Sequence, residues 1–107
     1  MTASPGARLA HVVFFTLKDP SPASREAFIA ACDKYLTDHP GTVHYSAGVR
    51  EPSYQRPVND QEFDVALVVV FESKQAHDDY QVAPRHKEFI AEQSVNWSKV
   101  RVFDALA

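Results

Sequence analysis

Apolar residues recur along this chain in two rhythms, one near every second position and one near every third or fourth, and the changes of rhythm divide it into elements. Leu9 to Leu17 is dense in Val, Phe and Thr, a strand composition. Asp19-Pro20-Ser21-Pro22 breaks it. Ser21 suits a helix N-cap and Pro22 the first helical position, where a missing N–H costs nothing. Phe28, Ala31, Cys32, Tyr35 and Leu36 then fall on one face of a helix, which Pro40-Gly41 ends. Val43, Tyr45, Ala47 and Val49 alternate with His44, Ser46, Gly48 and Arg50, a second strand with one wet face. Glu51 to Glu62 is nearly devoid of apolar residues, a loop of about twelve residues of the kind that borders functional openings. Phe63 to Phe71 predicts a third strand, and Ser73 a cap for a second helix running through Ala76 and Tyr80 to about Val82. Pro84 interrupts that helix, because proline disfavours helical geometry at the residue before it. A shorter helical piece follows from Arg85 to about Gln93, with His86, Phe89 and Ile90 at helical spacing. The last strand, Trp97 to Asp104, sets Val100 and Val102 against Lys99 and Arg101.

The order is βαββαβ, an α+β ferredoxin-like protomer with a four-stranded antiparallel sheet and two helices on one face. Residues 1–8 read as a flexible N-terminal arm and 9–107 as one domain. Strands one and three are apolar on both faces, as central strands of this topology must be, while two and four keep a polar face. Two helices cover only one face of such a sheet. The other still presents Phe14 or Phe15, and Val68 or Val69, and an apolar surface of that size marks an interface or a groove. At ~25 cal/mol per Å2, covering several hundred Å2 is worth on the order of 10 kcal/mol before association costs. A symmetric homodimer closing sheet onto sheet is the expected solution.

Composition narrows the classes of function. The 107 residues carry 14 acidic and 11 basic side chains, a net charge of −3, which offers nucleic-acid phosphates no basic surface. One cysteine excludes an internal disulfide. The longest apolar run, Val65 to Phe71, is far short of the ~20 residues of a membrane-spanning helix. The first ten residues lack a secretory pattern, so a cytoplasmic setting with no membrane partner is expected.

Candidate chemistry concentrates in Asp79 to Phe89. Tyr80 and His86 would stand about 120° apart on one straight helix, and the break at Ala83-Pro84 removes that constraint. Two readings stand side by side. Either the phenol and imidazole face one cavity as proton donor and general base, or Tyr80 packs on the sheet while His86 lines or caps the second helical piece. His11 opens the first strand in phase with Val13 and Phe15; it is a polar group in an apolar pocket or a strand-end histidine at the rim. The expected ligand wall is His11, Val13, Phe15, Leu67, Val69 and Phe89. His77-Asp78-Asp79, with His86 and Asp104 as further donors, invites a metal reading. Successive helical residues point apart, however, so a solvated face and no metal are expected. His39 and His44 flank the Pro40-Gly41 turn and are expected to be exposed. Cys32 lies on the buried stripe, no glycine-rich phosphate loop exists, and Arg50, Arg56, Arg85, Lys87 and Arg101 read as dispersed solubilising charge.

Over residues 9 to 104 the chain resembles the stress-responsive dimeric A/B barrel (Dabb) family. The resemblance rests on His11-Val12-Val13-Phe14-Phe15, Pro40-Gly41, Gly48, Phe63-Asp64-Val65-Ala66-Leu67, Phe71-Glu72-Ser73 and Trp97 to Asp104. Its most specific piece is Tyr80 with Pro84, His86 and Phe89. The resemblance implies a ferredoxin-like protomer whose sheets pair into a barrel-shaped homodimer. In the plant olivetolic acid cyclases of this family a histidine and a tyrosine of the motif close a polyketide by aldol condensation. Those roles would fall on His86 as base and Tyr80 as partner, with His11 at the pocket. Ala83 stands where the motif often has a histidine. Three functions follow as expectations. The first is a homodimer binding or converting a small apolar carbonyl compound without cofactor. The second is a non-enzymatic, stress-associated dimer with a filled cavity. The third is a cofactor-free monooxygenase or haem-degrading protein.

Overall fold

The computed structural model describes residues 7–107, and the expected arm over 1–8 lies almost wholly outside them. Arg8, just before the first strand, exchanges two backbone hydrogen bonds with Ala107 at 2.9 and 2.8 Å. The elements are β1 (Leu9–Leu17), α1 (Pro22–Tyr35), β2 (Thr42–Val49), β3 (Val65–Phe71), α2 (Lys74–Val82), α3 (Pro84–Gln93), a short 3-10 turn (Ser94–Asn96) and β4 (Trp97–Leu106). The sheet order is β2-β3-β1-β4, antiparallel throughout, with β1 and β3 central as the two-faced apolar pattern requires. No helix among the described residues is long and apolar enough to cross a membrane.

Both serine caps form: Ser21 Oγ accepts from Ser24 N–H at 3.2 Å, and Ser73 Oγ from Ala76 N–H at 3.1 Å. Ala83 is extended (φ −64°, ψ 142°), where a following proline drives it, so the second helix is two helices, α2 and α3. Two strand ends differ from expectation. β3 starts at Val65 rather than Phe63; just before it, the Asp64 carboxylate accepts from Leu17 N–H at 2.8 Å. β4 runs to Leu106 because its pairing with β1 continues to Leu9. Gly41 takes φ +83° under α2, where an added Cβ would meet Ala76 Cβ at 2.5 Å.

Register decides which side chains the helices cover. Leu9, His11, Val13, Phe15 and Leu17 of β1, and Val65, Leu67, Val69 and Phe71 of β3, are buried beneath α1, α2 and α3. Phe28 of α1 and Phe89 of α3 meet Phe15 and Trp97 there, with ring centroids 4.7–6.5 Å apart. The alternate residues Ala10, Val12, Phe14, Ala66, Val68 and Val70 form the opposite face and are half-buried. Phe14 touches Phe63 at 4.9 Å and Phe103 at 5.8 Å on that side, and Phe103 is more than half exposed. Phe14 and Val68 thus stand on the uncovered face, Phe15 and Val69 on the covered one.

Candidate functional site

The break at Ala83 places Tyr80, on the last turn of α2, against His86, on the first turn of α3. Their rings lie 4.6 Å apart at 65°, and both residues are buried, at 2% and 8% exposure. Arg85 fixes the start of α3, donating from Nη1 to the Thr37 carbonyl at 2.8 Å and from Nη2 to that of Lys34 at 2.6 Å. These contacts fasten α3 to the end of α1. Arg85 is therefore a positioning residue and not dispersed solubilising charge.

Beneath the two rings lies a cavity of about 150 Å3. His11, Val13, Phe15 and Leu67 form its sheet side, and Tyr80, Gln81, His86, Phe89 and Ile90 its helical side. Leu36 from the end of α1 and Trp97, Val100 and Val102 from β4 close it. Five of the six expected wall residues are there. Val69 is not, because the cavity lies toward the β1–β4 side of the sheet, whereas Val69 is fully buried between His11 and Tyr45 in the register. Val100 and Val102 were legible as alternating residues of the last strand, but nothing in the spacing tied that edge to the cavity, and Trp97, out of phase with them, joins their face only through the register shift at Thr16/Leu17.

Three buried polar atoms of this region have no partner. The Tyr80 hydroxyl, His86 Nδ1 and Trp97 Nε1 are buried without a hydrogen bond, and all three residues line the cavity. Such atoms each cost about 1–3 kcal/mol, and a ligand is one way to satisfy them. His11 is satisfied: its Nδ1 lies 2.6 Å from Asp104 Oδ1, directly opposite in the register. His39, expected on the surface, is buried at 6% exposure. Its Nε2 donates to the Tyr35 carbonyl at 2.8 Å, and its ring meets Tyr80 edge-on at 4.9 Å. The i+4 spacing from Tyr35 to His39 was the available sign, since a histidine there can satisfy a last-turn carbonyl. His44 is exposed, as expected. His77, expected on a solvated face, turns inward to 4.8 Å from the His11 ring.

Burial sets the protonation of these groups. It pushes the His86 imidazolium down to about 4, and the neighbouring His11, His39 and His77 add to the effect. His11 is also lowered by burial, with Asp104 pulling the other way. Burial raises the Tyr80 phenol well above its ordinary value, with Cys32 contributing. The Cys32 thiol is pushed up to about 12, again chiefly by burial, which leaves it inert. The cavity thus holds a neutral imidazole and a protonated phenol side by side, a proton acceptor and a donor.

The family profile of the stress responsive A/B barrel domain matches residues 9–106. A search of curated proteins finds no sequence match. Among solved structures, a Dabb family protein with a ferredoxin-like fold from Mesorhizobium loti superposes with a TM-score of 0.77 at 24% identity, over 94% of this chain and 97% of that one. A dimeric ferredoxin-like protein of unknown function from Thermobifida fusca gives 0.79 at 18% identity over the whole of both chains. The hydroxynitrile lyase of Passiflora edulis gives 0.75 at 20% identity, over 96% of this chain and 95% of the lyase.

Proposed function

The chain belongs to the stress responsive A/B barrel domain family, and from that premise we propose that it is a homodimer whose protomers each take a small apolar carbonyl compound into the cavity at Tyr80 and His86 and move a proton on it. The observation that carries the reading is the pair of unpartnered buried atoms, the Tyr80 hydroxyl and His86 Nδ1, on one apolar cavity. An apolar space of this volume takes a benzene-sized molecule, which suits a single ring or a short chain.

In the proposed step His86 removes a proton from the carbon alpha to the carbonyl, and Tyr80 donates to the oxygen on which charge develops. Burial makes the free imidazolium unstable. An enolate forming beside it supplies the missing counter-charge, so the same burial penalises the resting charged base and strengthens the transition-state ion pair. No cofactor enters this chemistry. The dimer pairs the uncovered sheet faces through Val12, Phe14, Val68 and Val70; the dimeric character of the Thermobifida fusca neighbour supports this. The lyase neighbour supports small-molecule chemistry on the same fold.

The test is deuterium wash-in. A one-ring methyl ketone such as acetophenone, incubated with the protein in D2O, should gain deuterium at its methyl carbon faster than in buffer, and His86→Ala should return the rate to background. Equal exchange with and without protein, across a panel of ring-sized ketones and aldehydes that also leave the thermal midpoint unmoved, would leave the non-enzymatic dimer in its place.

A further inference from the structure

Along the sequence, His77-Asp78-Asp79 is a poor chelator because neighbouring helical side chains diverge. The fold assembles a different set, one donor from each of three elements. His11 comes from β1, Asp104 from the facing position of β4, and His77 from α2, which packs above them. Their candidate ligand atoms all lie within 4.8 Å of one another.

We propose that His11, His77 and Asp104 bind one divalent transition-metal ion of the zinc class, at a site that shares only His11 with the Tyr80–His86 cavity. Two imidazoles and one carboxylate are the donors that zinc, iron(II), cobalt(II) and nickel(II) select, whereas magnesium and calcium take oxygen. Three protein ligands leave the ion an open position.

Burial is graded across the set. The His11 and His77 side chains are 6% and 11% exposed, and that of Asp104 is 41% exposed, so the inner ligands are fixed by packing and the outer one faces the solvent from which an ion arrives. The Asp78 carboxylate stands 3.5 Å from His77 Nδ1, where a small rotation would give the outer support that a metal-bound imidazole needs and leave Nε2 to serve as ligand. Gln81, whose amide now donates to that Nε2 at 3.2 Å, is only half-buried and can turn to water. Neighbouring donors around a four-coordinate zinc stand about 3.3 Å apart, so the widest pair must close by about 1.5 Å, a side-chain adjustment and not a backbone one.

Zinc(II) titrated calorimetrically into the chelator-stripped full chain should bind at one equivalent per chain, and cobalt(II) should give the intense visible absorption of a low-coordinate site. His77→Gln, which preserves volume, and Asp104→Asn should each weaken binding by at least about 100-fold. Tyr80→Phe and His44→Ala should bind as the unaltered chain does, which separates this site from the cavity chemistry and from the exposed histidine. The absence of saturable one-equivalent binding by the unaltered chain overturns the proposal. So does binding that persists in His77→Gln, or binding that vanishes in His44→Ala. In those cases His11 and Asp104 are a hydrogen-bonded pair and His77 a core histidine.

Discussion

The two faces of the sheet are made by the same strands, one residue out of step, and they are different materials. The covered face carries His11 and Trp97, and above it stand Tyr80 and His86; Tyr80, His86 and Trp97 each hold a buried polar atom without a partner. At its centre the uncovered face is Ala10, Val12, Phe14, Ala66, Val68 and Val70, with no polar side chain among them, and its charges sit at the margin on Lys99 and Arg101. Unpaired buried polar atoms leave hydrogen-bonding capacity that the proposed carbonyl ligand would use; a face with none offers only apolar area to bury. The period-two register allows both on one sheet.

Adjacent substitutions break the comparison most sharply. Val69→Asp puts an unpaired charge at a position with no exposure and should cost about 3–5 kcal/mol or abolish folding, read by urea unfolding followed through Trp97 fluorescence. Val68→Asp, one residue away on the other face, should leave the fold intact and halve the light-scattering mass to the 12.0 kDa of one chain. A Val68→Asp chain that keeps twice that mass would refute sheet-to-sheet pairing.

Next in size are the cavity variants. His86→Ala should abolish proton exchange on the ketone, and Tyr80→Phe should slow it by about 10²-fold, while both leave the dimer mass unchanged. If either variant dissociates the dimer, the two faces are not independent.

Smaller is the effect of pH. His86 is neutral in the folded chain down to about pH 4, whereas in the unfolded chain it takes up a proton below about 6.5. The unfolded state therefore binds more protons between those values, and stability should fall as pH drops from about 6.5 to 4, by about 1–3 kcal/mol, with His11 adding in the same direction. Chemical unfolding at stepped pH should show this slope, and His86→Gln should flatten it. The same lowering places the acid limb of the exchange rate near pH 4 and not 6.5. Smallest of all, Cys32 should resist alkylation at pH 8 until the chain is unfolded, since the covered face holds its thiol at about 12.

Much of this was legible in the chain and some was not, for identifiable reasons. β1 could be bounded at Leu9 and Leu17, both serine caps named, and the break at Pro84 placed, because each depends on neighbours in sequence. The order of the sheet followed from which strands are apolar on both faces. The fates of His77 and Arg85 were hidden, because each depends on how one element is turned against another far along the chain, whereas the bond of His39 to the Tyr35 carbonyl lay within local reach. Arg85 reaches 48 and 51 residues back to the end of α1, and nothing local distinguishes it from a surface charge. Val69 was misplaced for the same reason: periodicity gives its face, but not how far along that face the cavity extends.

β4 is an edge strand, and its Val100 and Val102, with Ile90 across from them, are 39%, 50% and 41% exposed although they belong to the cavity wall. The cavity consequently has a doorway of aliphatic side chains along one edge of the protomer. A molecule of the proposed kind would reach Tyr80 and His86 past Ile90 and the two valines, shedding its water against them. Selection at such an aliphatic threshold would fall on the breadth and wetness of the molecule that meets it.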